Sequence, residues 1–275
     1  MDHRSRRHFL KDLGLGTAAI SVTAEGPRAS QMPGRPASGQ AASHPSGPAS
    51  LMAIAAHPGD AFFAMGAAVA LQVHLGGAGV FLSLSLGEKG SPTIAPAEYG
   101  TMQRDAAVRA ARVLGARSEF LTYPDGAIPA SDEAKFAVCD MIRRFKPALI
   151  VTHWRGSWHK DHQACYEIVN DAVFYAGLPA LERPEPAHAV RGIYFADNWE
   201  DAAGFTADTY LDVTPVFENW TAACAAFPMW RGETGFRYND YYTSLAVARG
   251  CLSGFQKAVA LMSPPEQLTR HLRAL

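Results

Sequence analysis

Two short segments of this 275-residue chain hold most of the side chains that could bind a metal or move a proton. The first segment is His57-Pro58-Gly59-Asp60. The second contributes His153, His159, Asp161 and His162. Two histidines and one carboxylate, with coordination positions left open, are the ligands of a catalytic zinc site, and the same set also suits Fe²⁺. The residues therefore predict a catalytic metal, with Zn²⁺ as the first choice and Fe²⁺ as the alternative.

Each of these residues also has a simpler explanation when it is taken alone. A single loop histidine is commonly a surface residue, and Asp161 has the position of a helix N-cap. His74 and His188 are assigned structural roles for this reason. The pairing of two clusters, each directly after a predicted strand, favours a functional site over these simpler explanations.

Short apolar runs alternate with amphipathic segments along most of the chain. The runs predict strands at 51–56, 79–86, 118–123 and 147–152. The segments that follow them predict helices at 61–74, 96–114, 132–145 and 161–175. Four strand–helix repeats indicate an α/β fold, with a Rossmann-like, open and largely parallel sheet that carries helices on both faces.

The expected strand order brings the two segments together. In the usual 3-2-1-4-5 order the first and fourth strands are neighbours, and functional loops lie beyond their carboxyl ends. Residues 57–60 and 153–162 follow these two strands, so we expect their side chains to converge. The rest of the chain is less regular and predicts strands at 191–198 and 209–213 and helices at 214–227 and 241–262.

A series of short motifs occurs in a fixed order between Leu51 and Tyr175. They are Ala56-His57-Pro58-Gly59-Asp60 with Gly66, Gly87-Glu88, Arg104, Leu114-Gly115, Pro124-Asp125-Gly126 and His159-Lys160-Asp161-His162. In this order the chain resembles the LmbE/PIG-L N-deacetylases. Members of that family use zinc to remove an acetyl group from an N-acetylglucosamine moiety or a related amide. The resemblance implies a zinc-dependent N-deacetylase with a small-molecule N-acetylated substrate.

The resemblance also implies roles for individual residues. The metal ligands would be His57, Asp60 and His162. His159 would stabilise the tetrahedral oxyanion or protonate the leaving amine, and Arg104 and Asp125 would face the substrate. Amide hydrolysis needs a nucleophilic hydroxide, a charge opposite the oxyanion and a proton for the amine, which a metal and a histidine can supply.

One motif departs from the family pattern. The family carries an aspartate that acts as general base where this chain has Gly59, and a glutamate where it has Ala61. Asp161 and Glu88 are candidates to replace the base, and Asp161 could instead orient a ligating histidine. Because a glycine leaves backbone space, we expect room for a carboxylate at position 59 and weak deacetylase activity in the native chain.

The missing aspartate keeps two other functions open. The chain could be a catalytically impaired metal- or carbohydrate-binding protein on the same fold. The ligand set also allows an Fe²⁺ enzyme of redox type. Trp154 and Trp158, which lie within the second segment, are expected to line the pocket.

Composition limits the partners of the protein. The chain has 25 Lys and Arg residues against 26 Asp and Glu residues, which indicates no nucleic-acid or anionic-membrane partner. Its four cysteines are far apart, which favours free thiols. The oligomeric state is left open by the sequence.

The amino-terminal region predicts export. Arg6 and Arg7 begin a twin-arginine pattern, a short apolar stretch follows, and residues 1–24 are interpreted as a signal peptide that leads to a periplasmic or extracellular location. The apolar stretch is too short for a stable membrane span. Residues 25–49, rich in Pro, Gly, Ser and Ala, are predicted to be a disordered linker, and residues 50–275 the catalytic domain.

Overall fold

The computed structural model describes residues 50–265 of the chain. The predicted signal peptide at 1–24 and the predicted linker at 25–49 lie outside these residues, so both stay predictions. Within residues 50–265, no helix combines the length and the apolar character that a membrane span requires.

Strands and helices alternate through the first two thirds of the described residues. The strands are β1 (Leu51–Ala55), β2 (Gly79–Ser85), β3 (Arg117–Tyr123), β4 (Leu149–Thr152), β5 (Gly192–Ala196), β6 (Thr209–Asp212) and β7 (Ala258–Met262). The helices are α1 (Pro58–Phe63), α2 (Gly66–His74), α3 (Pro96–Val113), α4 (Asp132–Phe145), α5 (Lys160–Ala176), α6 (Phe217–Cys224) and α7 (Tyr238–Ser253).

The strands form one sheet in the order β3-β2-β1-β4-β5-β7-β6. The pairs among β1 to β5 are parallel, whereas β7 runs antiparallel to both β5 and β6. The predicted α/β class, the largely parallel sheet and the adjacency of the first and fourth strands are confirmed.

Both faces of the sheet are covered by helices, as alternate residues of β1 illustrate. Met52 and Ile54 belong to one apolar core, and Ala53 and Ala55 belong to the other. Successive side chains of a strand point to opposite faces, so a strand buried on both faces has to be apolar throughout. This burial accounts for the continuous apolar runs that identified the strands.

Two predicted helices are wrong in their extent. The segment 61–74 is two helices, because the chain breaks at Ala64 and Met65 between α1 and α2. The segment predicted as a helix at 241–262 stops at Ser253, where Gly254 takes the left-handed conformation with a φ of 83°. The chain then turns back and forms β7. The helix was predicted too long because the short apolar run of β7 is also compatible with a buried helix.

Candidate active site

The carboxyl ends of β1 and β4 bring the two ligand-bearing segments together. His57 is the N-cap of α1, and Asp60 lies in the first turn of that helix. His159 is the N-cap of α5, where its side chain accepts a hydrogen bond from the backbone N–H of Asp161. His162 lies in the first turn of α5 and is fully buried. Two helices that start after neighbouring strands thus bring these four side chains close together.

Three of these side chains form the cluster predicted to bind the metal. Asp60 Oδ2 lies 3.0 Å from His57 Nδ1 and 3.2 Å from His162 Nε2. One ligand atom from each of the three residues lies within 4.8 Å of the others. His162 Nε2 is buried and has no hydrogen-bond partner among the described residues. An orphaned imidazole nitrogen beside a carboxylate and a second histidine fits a divalent cation, so the residues present suit a metal.

The Nδ1 atom of His162 contacts Asp201, a carboxylate that the sequence did not predict as a site residue. Asp201 accepts from His162 Nδ1 at 2.8 Å and from His153 Nδ1 at 2.7 Å. His153 Nε2 in turn accepts from the backbone N–H of Ala56 at 3.1 Å. Both nitrogens of His153 are therefore engaged, and this residue positions Asp201 rather than facing the cavity. A carboxylate behind a ligating histidine fixes the tautomer that leaves Nε2 free for a metal.

His57 is oriented by two further carboxylates. Its Nε2 lies 3.1 Å from Asp125 Oδ1 and 3.3 Å from Asp161 Oδ2. Asp161 is fully buried and also accepts from the backbone N–H groups of Gly126 and Ile128. With its oxygens occupied in this way, Asp161 orients His57 and ties down the Asp125 loop. These contacts are those expected of a carboxylate that orients His57, and the role of Asp161 as a base stays a prediction.

The carboxylates shift the pKa values of the histidines that they surround. Although burial lowers it, the pKa of His162 is raised to about 10 by Asp60 and Asp201. The pKa of His57 is also raised by Asp125, Asp161 and Asp60, against the effect of burial. The cluster therefore stabilises positive charge at this point, which is the electrostatic requirement of a cation site.

A cavity of about 290 Å³ opens over His57 and Asp60, two of the three clustered residues. Its lining residues come from both halves of the domain: His57, Gly59, Asp60, Gly87, Gly90, Tyr99, Gln103, Asp125, His159, Trp199, Glu200, Met229, Thr234, Phe236 and Tyr238. This volume is at the lower end of the range for small-molecule sites. Asp125 and His159, which were predicted as site residues, are both among the lining residues.

Glu200 is a cavity residue with no motif to mark it in the sequence. Its Oε2 lies 3.6 Å from His162 Nε2, and it belongs to a short 3₁₀ turn after β5. Burial and the charge of Asp60 raise the pKa of Glu200 to about 7. A carboxyl group next to the clustered residues, with a pKa close to neutrality, can exchange a proton with water.

Gly59 does not leave the open space that we expected. A Cβ atom at this position would lie 3.1 Å from Met229 Sδ and 3.4 Å from Phe63 Cε2. Met229 Sδ also receives the side-chain N–H of Gln103 at 3.3 Å. The expectation of free room for a carboxylate at position 59 is thus wrong, because a methionine from a distant 3₁₀ turn fills it.

Two further predicted site residues lie away from the cavity. Arg104 is exposed, and its guanidinium sits 5.4 Å from the ring centre of Phe120, so it does not line the cavity. Glu88 accepts hydrogen bonds from the backbone N–H of Asp125 and from Ser85 Oγ. It supports the Asp125 loop, and the neighbour of Arg104 on α3, Gln103, faces the cavity instead.

The tryptophans differ from the expectation as well. Trp154 is buried and donates its indole N–H to the backbone oxygen of Ala203, so it is a core residue. Trp158 is 65% exposed and does not line the cavity, although its ring contacts Trp199. The cavity tryptophan is Trp199, which stacks on Phe236 with ring centres 4.4 Å apart. All four cysteines lie in the described residues and are free thiols, as predicted.

Comparison with known proteins relates this geometry to characterised chains. Residues 52–173 match the family model described as PIG-L: GlcNAc-PI de-N-acetylase. A 4-oxalmesaconate hydratase of Pseudomonas putida is 27% identical over 210 residues, which cover 73% of this chain and 80% of that one.

Solved structures share the fold. The 4-carboxy-2-hydroxymuconate hydratase from P. putida superposes with a TM-score of 0.74 and 24% identity, over 82% of this chain and 99% of that one. The N,N'-diacetylchitobiose deacetylase from Pyrococcus horikoshii gives a TM-score of 0.67 and 18% identity, over 78% and 84% of the two chains.

Proposed function

This chain belongs to the PIG-L/LmbE family, and from that premise we propose that it is a metal-dependent hydrolase that removes an N-acetyl group from an amino sugar or a related small amide. The metal that we propose is Zn²⁺, with Fe²⁺ as the alternative. The ligands would be His57, Asp60 and His162. The observation that carries the proposal is the buried Nε2 of His162, which makes no hydrogen bond within the described residues and lies 3.2 Å from Asp60 Oδ2.

A bound divalent metal would acidify water and polarise the amide carbonyl. The residues of the chain do the remaining work. Glu200, beside His162, is placed to accept the proton from the attacking water and to deliver it to the leaving amine. This assignment gives the role that the resemblance implies for an aspartate at position 59 to a carboxylate from a distant part of the chain.

His159 is suited to stabilise the oxyanion. Its Nδ1 accepts from the N–H of Asp161, so the proton of the neutral ring is carried on Nε2. Burial, followed by the positive charges of His162 and His57, lowers the pKa of His159 and favours this neutral form. A neutral ring whose Nε2–H is free can donate a hydrogen bond to a developing oxyanion.

The test is acetate release from a panel of N-acetyl sugars by protein loaded with Zn²⁺ or with Fe²⁺. We expect turnover that depends on added metal and that Glu200→Gln reduces strongly. Full metal binding with no acetate released from any sugar would contradict the proposal and would favour the binding protein on the same fold.

A hydratase is the second candidate, and the comparison with the P. putida enzyme is the observation that favours it. Addition of water to a carbon–carbon double bond needs the same activation of water. The carboxylated substrate that the name of that enzyme denotes would require cationic groups, yet none of the described residues that line this cavity is Lys or Arg. Loss of the conjugated absorbance of a carboxylated muconate, with no acetate released from N-acetyl sugars, would identify a hydratase.

We also propose export by the twin-arginine route to the periplasm or the cell exterior. Replacement of both Arg6 and Arg7 by Lys should keep the precursor inside the cell, because the pathway reads the paired guanidinium groups rather than charge alone. Normal export of the double variant would contradict this location.

A further inference from the structure

Two polar side chains of α3 are buried at the cavity and lack partners. Tyr99 and Gln103 are one helical turn apart and therefore share a face of the helix. Each is 2% exposed, and each lines the cavity. Neither the hydroxyl of Tyr99 nor Oε1 of Gln103 has a hydrogen-bond partner within residues 50–265. Buried polar groups without partners are costly, so they call for a ligand that pairs with them.

The chemistry of the pair limits the ligand. The amide N–H of Gln103 points to Met229 Sδ, which can only accept, and this fixes Oε1 as the free acceptor. Tyr99 offers a hydroxyl that both donates and accepts. Burial and the charges of Glu233 and Asp125 raise the pKa of Tyr99, so the phenol keeps its proton. A ligand group that both donates and accepts, such as a hydroxyl, satisfies both side chains.

The carboxylates near Tyr99 disfavour an anionic group at this pair of side chains, because the charges of Glu233 and Asp125 both act on its hydroxyl. No Lys or Arg side chain is among the described residues that line the cavity. The nearby Lys89 ammonium is engaged by the backbone oxygen of Asp125. A carboxylate placed against Gln103 Oε1 would set two acceptors face to face, with no Lys or Arg beside them to compensate.

Aromatic rings also line the cavity. Trp199 stacks on Phe236 with an angle of 9° between the ring planes, and Tyr238 lies edge-on to Phe236 at 4.7 Å. Such surfaces suit the apolar face of a ring-shaped ligand. The cavity thus combines hydrogen-bonding groups on α3 with an aromatic surface.

We propose that Tyr99 and Gln103 form a hydroxyl-recognising subsite that selects uncharged, hydroxyl-bearing substrates and discriminates against polycarboxylates. The inference rests on the proposed function for the identity of the reacting group, but the subsite itself is defined by binding. Met229 completes it, because its sulfur fixes the orientation of the Gln103 amide.

The test measures binding to Zn²⁺-loaded protein by isothermal titration calorimetry. The probes are N-acetylglucosamine, which is uncharged, and muconate, a dicarboxylate. Tyr99→Phe and Gln103→Leu should each weaken N-acetylglucosamine binding about 2- to 10-fold, the range expected for one uncharged hydrogen bond. Neither variant should weaken muconate binding, and the native protein should bind muconate more weakly than the sugar.

Matched controls are Tyr210→Phe and Gln72→Leu, which change the same residue types away from the cavity and should leave both affinities unaltered. Equal metal content and thermal unfolding of all variants show that the fold is kept. Unchanged sugar binding in both cavity variants, or tighter binding of muconate than of the sugar, would overturn the subsite. Sugar binding that responds as expected without acetate release would keep the subsite and reject the proposed hydrolysis.

Discussion

Two groups of residues at the cavity differ in where they lie in the chain and in the role that we propose for them. The metal wall, which is His57, Asp60, His159 and His162, comes from helix starts directly behind β1 and β4. The substrate wall, which is Trp199, Glu200, Met229, Phe236 and Tyr238, comes from turns and from the start of α7 in the second half of the chain. We propose that the first wall holds the metal, and that the second wall, together with Tyr99 and Gln103 of α3, determines which substrates bind.

This difference teaches where the chain has changed its chemistry. Gly59 stands where the resemblance implies a general base, and Met229 of the substrate wall packs against it. We propose that Glu200, whose Oε2 lies 3.6 Å from His162 Nε2, supplies the missing carboxylate. If the division is correct, substitution of the proposed ligands His57, Asp60 or His162 removes the metal. Substitution of His159 or of a substrate-wall residue should leave the metal bound and lower turnover or selectivity.

The largest effect is expected on the metal wall. His162→Ala should abolish metal binding, because Nε2 is the unpaired ligand atom at the centre of the cluster. Activity should fall by more than about 10³-fold, since the metal supplies both the nucleophile and the charge for the oxyanion. Metal analysis after dialysis measures the first effect and acetate release the second. His74→Ala, an exposed histidine on α2, is the control and should keep both.

The next effect is expected at Glu200 on the substrate wall. Glu200→Gln should retain the metal and reduce turnover by about 10²- to 10⁴-fold, the contribution typical of a general base. Glu218→Gln, an exposed carboxylate on α6, is the matched control. If Glu200→Gln loses metal together with activity, Glu200 is a ligand, and the separation of the two walls fails.

Asp201 tests whether the walls are independent. It belongs to the same turn as Glu200, yet its carboxylate accepts from His162 and His153. Asp201→Asn should weaken metal affinity about 10- to 100-fold, because an amide presents one acceptor and its NH₂ opposes the second ring N–H. Competition with a chelator measures the shift. An unchanged affinity would show that the histidine is oriented without Asp201.

The smallest effect concerns Gly59. Gly59→Asp alone should give no gain in acetate release, because its Cβ meets Met229 Sδ at 3.1 Å. Combining it with Met229→Ala makes room, and we expect the double variant to exceed Gly59→Asp by up to about 10-fold, a small share of what a general base contributes. A clear gain from Gly59→Asp without the second change would show that the methionine yields easily.

Local patterns were sufficient for the metal wall. His57 and Asp60 are close in sequence, and so are His159 and His162, so each pair was visible as a motif after an apolar strand. The parallel order of β1 and β4 then brought the pairs together as predicted. The prediction that Arg104 faces the substrate is not met, because Gln103 lines the cavity instead. A shift of one residue along a helix changes which side chain faces the cavity.

Distant packing decided the rest. Trp199 rather than Trp154 lines the cavity, and the last part of the predicted helix at 241–262 became β7 after Gly254. An apolar run such as residues 258–262 suits a buried strand or a buried helix equally well. Which tryptophan lines the cavity depends on how distant turns pack against it. Asp161 and Glu88 were predicted as candidate bases, and the structure shows that both accept hydrogen bonds from the backbone of the Asp125 loop. These contacts could be seen only once the positions of their partners were known.

The sequence by itself determined the α/β class, the strand order around β1 and β4, and the residue types proposed as metal ligands, because hydrophobic periodicity and short motifs act within a few residues along the chain. Only the tertiary structure decided that Met229 closes the space at Gly59, that Glu200 stands beside His162, and that Tyr99 and Gln103 are buried without partners. These contacts join residues between about 40 and 170 positions apart in the chain, and their geometry depends on how whole helices and turns pack.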